Sequence, residues 1–244
     1  MASNPMHQFE VYRIGPEIKL GTVNLSFTNS SMFMLISAIT ILLLLFLGTR
    51  KKLAIPSKMQ FITESSYAFI AKMINDTAGS GARPFFPFIF TLFMFVLFCN
   101  MIGMLPYSFT VTSHIIVTFV LAAFIFIAVT IIGFIKHGIK YLQLFVPKGV
   151  PVVLLPLIIV IEIISYLSRP VSLSVRLFAN MMAGHTMLKV FGGFVISLGL
   201  LGGWLPLGFS VALTGLEILV AFLQAYVFAI LTCIYLNDAL NLHH

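Results

Sequence analysis

The stretch VTSHIIVTFVLAAFIFIAVTIIGFI, Val111 to Ile135, contains no Lys, Arg, Asp or Glu. A helix rises 1.5 Å per residue, so about 20 mostly apolar residues cross the roughly 30 Å hydrocarbon core of a bilayer. This run is long enough to cross. Similar runs occupy Ser31–Leu47, closed by Gly48, Arg50, Lys51 and Lys52, and Phe85–Leu105, separated from the Val111 run by an uncharged turn around Pro106 and Tyr107. A longer apolar stretch runs from Val150 almost to Leu236 and is broken by Gly199, Gly202, Gly203 and Pro206. It predicts a hairpin of two long helices, near 150–197 and 207–237. The first is too long to cross upright and must tilt, bend or lie partly in the membrane plane.

Composition agrees. The 244 residues are 60% hydrophobic and only 9% charged, far below the roughly 25% of a soluble domain. That sets aside a soluble enzyme, an extracellular disulfide scaffold and a disordered regulator. Cys99 and Cys233 lie far apart inside apolar runs, with no metal-ligand spacing, and read as packing residues. The net charge of +7 comes from short basic clusters between apolar runs, so it signals orientation rather than nucleic-acid binding. The opening residues have neither the basic-then-apolar pattern of a secretory signal nor an Arg/Ser-rich transit pattern, and no cleaved leader is expected.

The fold expected is therefore an all-α integral membrane protein with about five membrane-embedded helices. Residues 1–30 form an N-terminal extramembrane segment. Residues 31–148 hold the first three spans, and residues 149–244 form the long hairpin. Arg50, Lys51, Lys52, Lys58, Lys72 and Arg83 put the segment after the first span on the cytoplasmic (or matrix) side, as do Lys136, Lys140 and Lys148 the later loop. The N-terminus is then outside and the C-terminus inside. Between the first two spans, Ile55, Met59, Ile62, Phe69 and Met73 recur at helical spacing, which predicts an amphipathic helix at about 53–78 lying in the interface.

Charge inside a span costs several kcal/mol, so the ionisable residues of the hairpin need a reason. Glu162, Arg169 and Arg176 are spaced seven and seven, almost two full turns each time, and make one stripe. Asn180 is one turn beyond Arg176, whereas His185, nine residues on, faces the opposite way. Glu217 and Gln224 are also seven apart. In an antiparallel hairpin, residues at equal depth share an index sum: Arg176 with Gln224 gives 400, and His185 with Glu217 gives 402. Both centre the turn near residue 200, inside the glycine-rich break. Glu162 falls toward the inner face. A histidine and carboxylates can carry protons, while an arginine cannot lose its own and acts as a fixed positive charge. This polar path suits two aqueous half-channels that do not meet, served by a mobile acid on a partner. No nucleophile–base pair, phosphate loop or metal cluster competes, so neither catalysis nor a cofactor is expected. A secondary transporter would be expected to show inverted repeats, and none is found. A purely structural anchor is the remaining alternative. Arg169, beside Pro170, and Lys189 have structural readings of comparable weight; His114 reads as a local hydrogen-bonder, and His137, His243 and His244 as solvated.

The stretch RPVSLSVRLFANMMAGH, Arg169–His185, resembles the signature of the F-type ATP synthase subunit a family. LEILVAFLQAYVFAILTCIYLND, Leu216–Asp238, is similar to that family's final helix. MHQFE at Met6–Glu10, SFTNSS at Ser26–Ser31 and PYSFTVTSH at Pro106–His114 extend the likeness over nearly the whole chain. The resemblance implies that Arg176 is the essential stator arginine facing the carboxylate of a rotating c-subunit ring. It implies that Gln224 and Asn180 are its neighbours, that His185 and Glu217 belong to an outer half-channel, and that Glu162 belongs to an inner one. The His185/Glu217 arrangement looks like the alphaproteobacterial and mitochondrial branch, and the N-terminus favours a bacterial inner membrane. The implied partners are the c-ring, peripheral-stalk b subunits, the rest of the synthase and the lipid membrane, with no nucleic acid and no cofactor.

Overall fold

The computed structural model describes residues 8–17, 19–20, 23–24, 26–50, 55–105, 108–146 and 154–241. The predicted features at Met6–His7, Lys51–Lys52, Pro106–Tyr107, Lys148 and His243–His244 lie outside them. A minimal antiparallel ladder, β1 (Lys19–Leu20) with β2 (Val23–Asn24), precedes six α-helices. These are α1 (Asn29–Thr49), α2 (Lys58–Ala78), α3 (Phe86–Gly103), α4 (Ile115–His137), α5 (Leu155–Gly202) and α6 (Trp204–Leu240). Five helical segments are long and apolar enough to cross a membrane: Asn29–Thr49, Gly81–Gly103, Ile115–Phe145, Leu155–Gly199 and Trp204–Leu240. The chain is an all-α multi-pass membrane protein, as its composition predicts.

Local chemistry sets the helix ends. The Thr28 hydroxyl accepts from the Ser31 N–H and Ser57 from the Gln60 N–H, each capping a helix start. Pro87 sits in the first turn of α3, where its missing N–H costs nothing. The hairpin tip is short: α5 is kinked at Gly199, a brief helical segment follows to Gly202, and α6 starts at Trp204. The break is concentrated at Gly199, whose φ of 62° is open to glycine without strain. At 48 and 37 residues, α5 and α6 are about 70 Å and 55 Å long. Helices of that length fit a roughly 30 Å apolar core only when strongly tilted or partly in plane.

In the centre α6 packs against α3, α4 and α5. Ala221, Ala225, Ala229 and Cys233 recur every fourth residue along it and are fully buried, letting neighbouring backbones approach closely. Phe228, Leu173, Leu177 and Met181 fill the remaining space, and Cys99 and Cys233 are free, buried packing residues as expected.

The predicted amphipathic helix is present, but its apolar stripe does not face the core. Gln60, Thr63, Ile70, Met73, Ile74 and Ala78 are buried, while Met59, Ile62 and Phe69 remain exposed, as does Ile55 just before the helix. The reason is the crossing with α1. A side chain at Gly48 would run into the Thr63 hydroxyl, so the two helices touch through Gly48 and Thr63. That contact turns the Met59/Ile62 face outward.

Candidate functional site in the α5–α6 seam

The polar residues of the hairpin gather in two pairs. His185 Nδ1 lies 3.4 Å from Glu217 Oε1, in a part of the seam where Glu217 is only 5% exposed. The approach depends on Gly184: a Cβ there would stand 2.7 Å from Glu217 Oε1 and 3.0 Å from its Cδ. The separation is longer than the roughly 2.7–2.9 Å of a formed charge-assisted bond. Accordingly, neither Glu217 oxygen has a hydrogen-bond donor among the described residues. Further along, Asn180 Nδ2 donates to Gln224 Oε1 at 3.0 Å, leaving the Gln224 amide nitrogen unpaired among the described residues.

The index-sum argument thus holds for His185 with Glu217, whose sum is 402. It shifts by one turn for Gln224, which meets Asn180 (sum 404) rather than Arg176. Arg176 is exposed on α5, and no hydrogen bond or ion pair holds its guanidinium among the described residues. Glu162 is half-buried and likewise has no such partner.

Arg169, in line with Arg176 on the sequence stripe, behaves differently. Its Nη1 donates to Asp238 Oδ2 at 3.1 Å, and its guanidinium lies over the rings of Tyr166 and Tyr235, 5.4 and 5.0 Å from their centroids. Tyr166 shares hydroxyl contacts with Thr130 (2.7 Å) and Tyr141 (3.1 Å). Arg169 therefore ties α5 to the end of α6. Asp238 carried no signal as its partner, because the two are 69 residues apart.

Two histidine expectations are corrected. The His114 ring makes no hydrogen bond among the described residues. It stacks on Phe109 with centroids 5.0 Å apart, and its buried Nε2 is unpaired. His114 stands before α4, and burial pushes its pKa below the usual histidine value. His137 is not simply solvated: its Nε2 donates to the Leu240 carbonyl at 3.1 Å, beside Lys136 Nζ at 3.0 Å. Both satisfy a C-terminal carbonyl of α6, and the Lys136 ammonium puts positive charge where the helix dipole favours it. Lys189 is exposed.

A second polar network went unnoticed in the sequence. Asn100, fully buried in α3, donates from Nδ2 to the Ala221 carbonyl at 3.2 Å and accepts from the Thr112 hydroxyl at 2.8 Å. Thr110 contacts His185 Nε2 at 2.9 Å and donates to the Gly103 carbonyl at 3.0 Å. An asparagine amid FVLFCNMIG was the available clue, since a buried amide needs partners.

Residues 31–237 match the model of the family described as ATP synthase A chain. ATP synthase subunit a of Pelagibacter ubique (strain HTCC1062) is 78% identical over 244 residues, covering all of both chains. That of Chelativorans sp. (strain BNC1) is 58% identical over 250 residues, again covering both chains fully. That of Parvibaculum lavamentivorans is 57% identical over 247 residues, 99% of this chain and 95% of the relative.

Proposed function

The chain belongs to the ATP synthase A chain family, and on that premise we propose that it is the proton-conducting stator of the membrane sector of an F-type ATP synthase. In this reading it offers two offset half-channels to a rotating c-ring and performs no covalent chemistry itself. Glu217 and His185 belong to the outer half-channel and Glu162 to the inner one. Asn180 and Gln224 are the polar neighbours of Arg176, which separates the two. Its partners are the c-ring, the peripheral-stalk b subunits and the lipid of a bacterial inner membrane.

One observation carries the reading. Arg176 is an exposed guanidinium within a membrane-spanning helix, with no anion of its own among the described residues. A centrally placed arginine costs about 2.5–3.5 kcal/mol on insertion scales, and a carboxylate from a neighbouring subunit offsets that cost. Arg169, by contrast, already has its acid within the chain. A ring of identical subunits that brings carboxylates past Arg176 one at a time would find a permanent positive charge there. Each carboxylate must release its proton to approach that charge and take one up to leave, so rotation is coupled to a net crossing. Glu217 and Gln224 keep unused hydrogen-bonding capacity in the seam, which a hydrated proton path needs.

The test is Arg176→Ala in the assembled complex in proteoliposomes. ATP-driven proton pumping is expected to vanish while the subunit still assembles; normal coupled pumping would refute the reading. Arg176→Lys is expected to fail as well, because a buried ammonium can lose its proton and a guanidinium cannot.

A further inference from the structure

We infer that Thr110 is a positioning residue that locks His185 in the Nε2–H tautomer and thereby aims the Nδ1 lone pair at Glu217. The inference rests on the proton-path reading of His185 and Glu217. It begins with Gly103, the last residue of α3, whose carbonyl receives no backbone N–H among the described residues. Two hydroxyls can serve that carbonyl, Ser108 at 2.9 Å and Thr110 at 3.0 Å. Ser108 has a single proton and a shorter acceptor in the Leu105 carbonyl at 2.7 Å. The Thr110 proton is therefore drawn to Gly103, because a buried helix-end carbonyl without a donor is costly.

A hydroxyl has one proton and two lone pairs. With its proton on Gly103, Thr110 Oγ1 can only accept at its second contact, His185 Nε2 at 2.9 Å. Nε2 must then carry a hydrogen, and in the neutral ring Nδ1 is bare. Nδ1 is the atom that faces Glu217 Oε1 at 3.4 Å, a distance that suits no fixed N–H···O bond. Thr110 is itself 5% exposed and is seated against Gly103, where a Cβ would come within 2.8 Å of its methyl. It cannot easily swing away.

The consequence is directional. A proton on Glu217 Oε1 passes to Nδ1, leaving a carboxylate and an imidazolium whose two N–H bonds point to Glu217 and Thr110. Return of that proton from Nδ1 to the Glu217 carboxylate restores both groups with the Nε2 hydrogen untouched, so the ring takes and gives its mobile proton at Nδ1 alone. Without the lock, the neutral ring can place its hydrogen on Nδ1, which then cannot accept. The charged or titratable groups around the ring are Glu217 on α6 and Lys189 one turn along α5. Among the described residues, the loop contributes the Thr110 hydroxyl at this point, and the His114 ring is turned onto Phe109.

The experiment uses the assembled complex with ¹⁵N-labelled histidine, the His185 signals being assigned by difference from His185→Asn. Wild type and Thr110→Ser are expected to show a protonated Nε2 and a bare Nδ1 above the pKa of the ring. Thr110→Val, which keeps the shape and removes the acceptor, is expected to show mixed tautomers. It should also lower proton flux about fivefold and displace its pH profile, the loss of one hydrogen bond being worth roughly that factor; Thr110→Ser should stay near wild type. A wild-type ring protonated at Nδ1, or an unchanged tautomer in Thr110→Val, overturns the inference, and the first needs no variant at all. A changed tautomer with unchanged flux keeps the lock and instead overturns the placing of His185 on the proton path.

Discussion

Gly184→Ala tests the seam most directly. The added methyl carbon would stand 2.7 Å from Glu217 Oε1, 3.0 Å from Cδ and 3.3 Å from Cγ. Ordinary contact begins near 3.4 Å, so the carboxyl must retreat by about 3.4 − 2.7 = 0.7 Å. The contact is with the whole end of the side chain, so rotation of the carboxylate alone does not relieve it. The His185–Glu217 separation, now 3.4 Å, then opens to roughly 4 Å or more, beyond direct proton transfer. A misplacement near 1 Å at reacting groups can cost up to about a hundredfold, so at least a tenfold fall in proton flux is expected. The substitution is otherwise benign, because alanine improves on glycine in a helix interior by about 1 kcal/mol. Loss of flux therefore cannot be put down to a weakened α5. The assay is ATP-driven acidification of proteoliposomes carrying the assembled complex, read beside thermal stability in the same lipid. Gly184→Ala with Glu217→Asp, one methylene shorter, should recover part of the flux. Full activity in Gly184→Ala would refute the claim that close approach of Glu217 to α5 matters.

Other expectations concern the scaffold around the seam. Asp238→Asn removes the carboxylate from Arg169 but leaves both tyrosine rings; the pair is partly exposed, so thermal unfolding should report a loss of about 1 kcal/mol and proton flux should persist. Asn100→Leu breaks the bonds to Ala221 and Thr112 within the core and should cost about 1–3 kcal/mol by the same measurement. Gly133→Ala drives a methyl carbon into the Tyr141 ring and should lower the melting temperature measured by thermal unfolding. Burial lowers the pKa of His114, so the unfolded chain binds its proton more readily. Its contribution is present above the unfolded value near 6.5 and is lost as pH falls below it. His114→Phe, which keeps the stacking on Phe109, should show a shallower fall in melting temperature on acidification.

The fold was legible because each level repeated the same message. Apolar runs of span length, basic clusters on one set of loops and a glycine-rich break gave five crossing segments and a hairpin, and the structure has both. The site was legible to the extent that heptad spacing controls facing. His185 and Glu217 met as their index sum required. Gln224 met Asn180, one turn beyond Arg176, a difference that an index sum of whole residues does not resolve once side-chain reach is added. For α2, periodicity showed that the helix has an apolar face, not which of its residues a neighbouring helix would cover. Contacts between distant segments were beyond reach. Thr110 with His185 and Arg169 with Asp238 join residues 75 and 69 apart, and neither pair shares a local pattern.

Partnering separates the charges of the hairpin into two kinds. Arg169 is held by an acid and two aromatic rings, and its role is complete within the chain. His185 and Glu217 face each other at a distance too long for a settled bond, the condition for a proton to move rather than rest. Arg176 has nothing. In water an unpaired arginine would be ordinary, but in a membrane-spanning helix it is a cost the fold could have removed by substitution. A charge kept under those conditions needs a counter-charge that the isolated chain does not supply. A permanent carboxylate partner would have sufficed for stability alone. On the proposed reading, the place is held for an acid that arrives, discharges and leaves, and the His185–Glu217 pair and Glu162 would supply proton-carrying groups on the two sides of the charge.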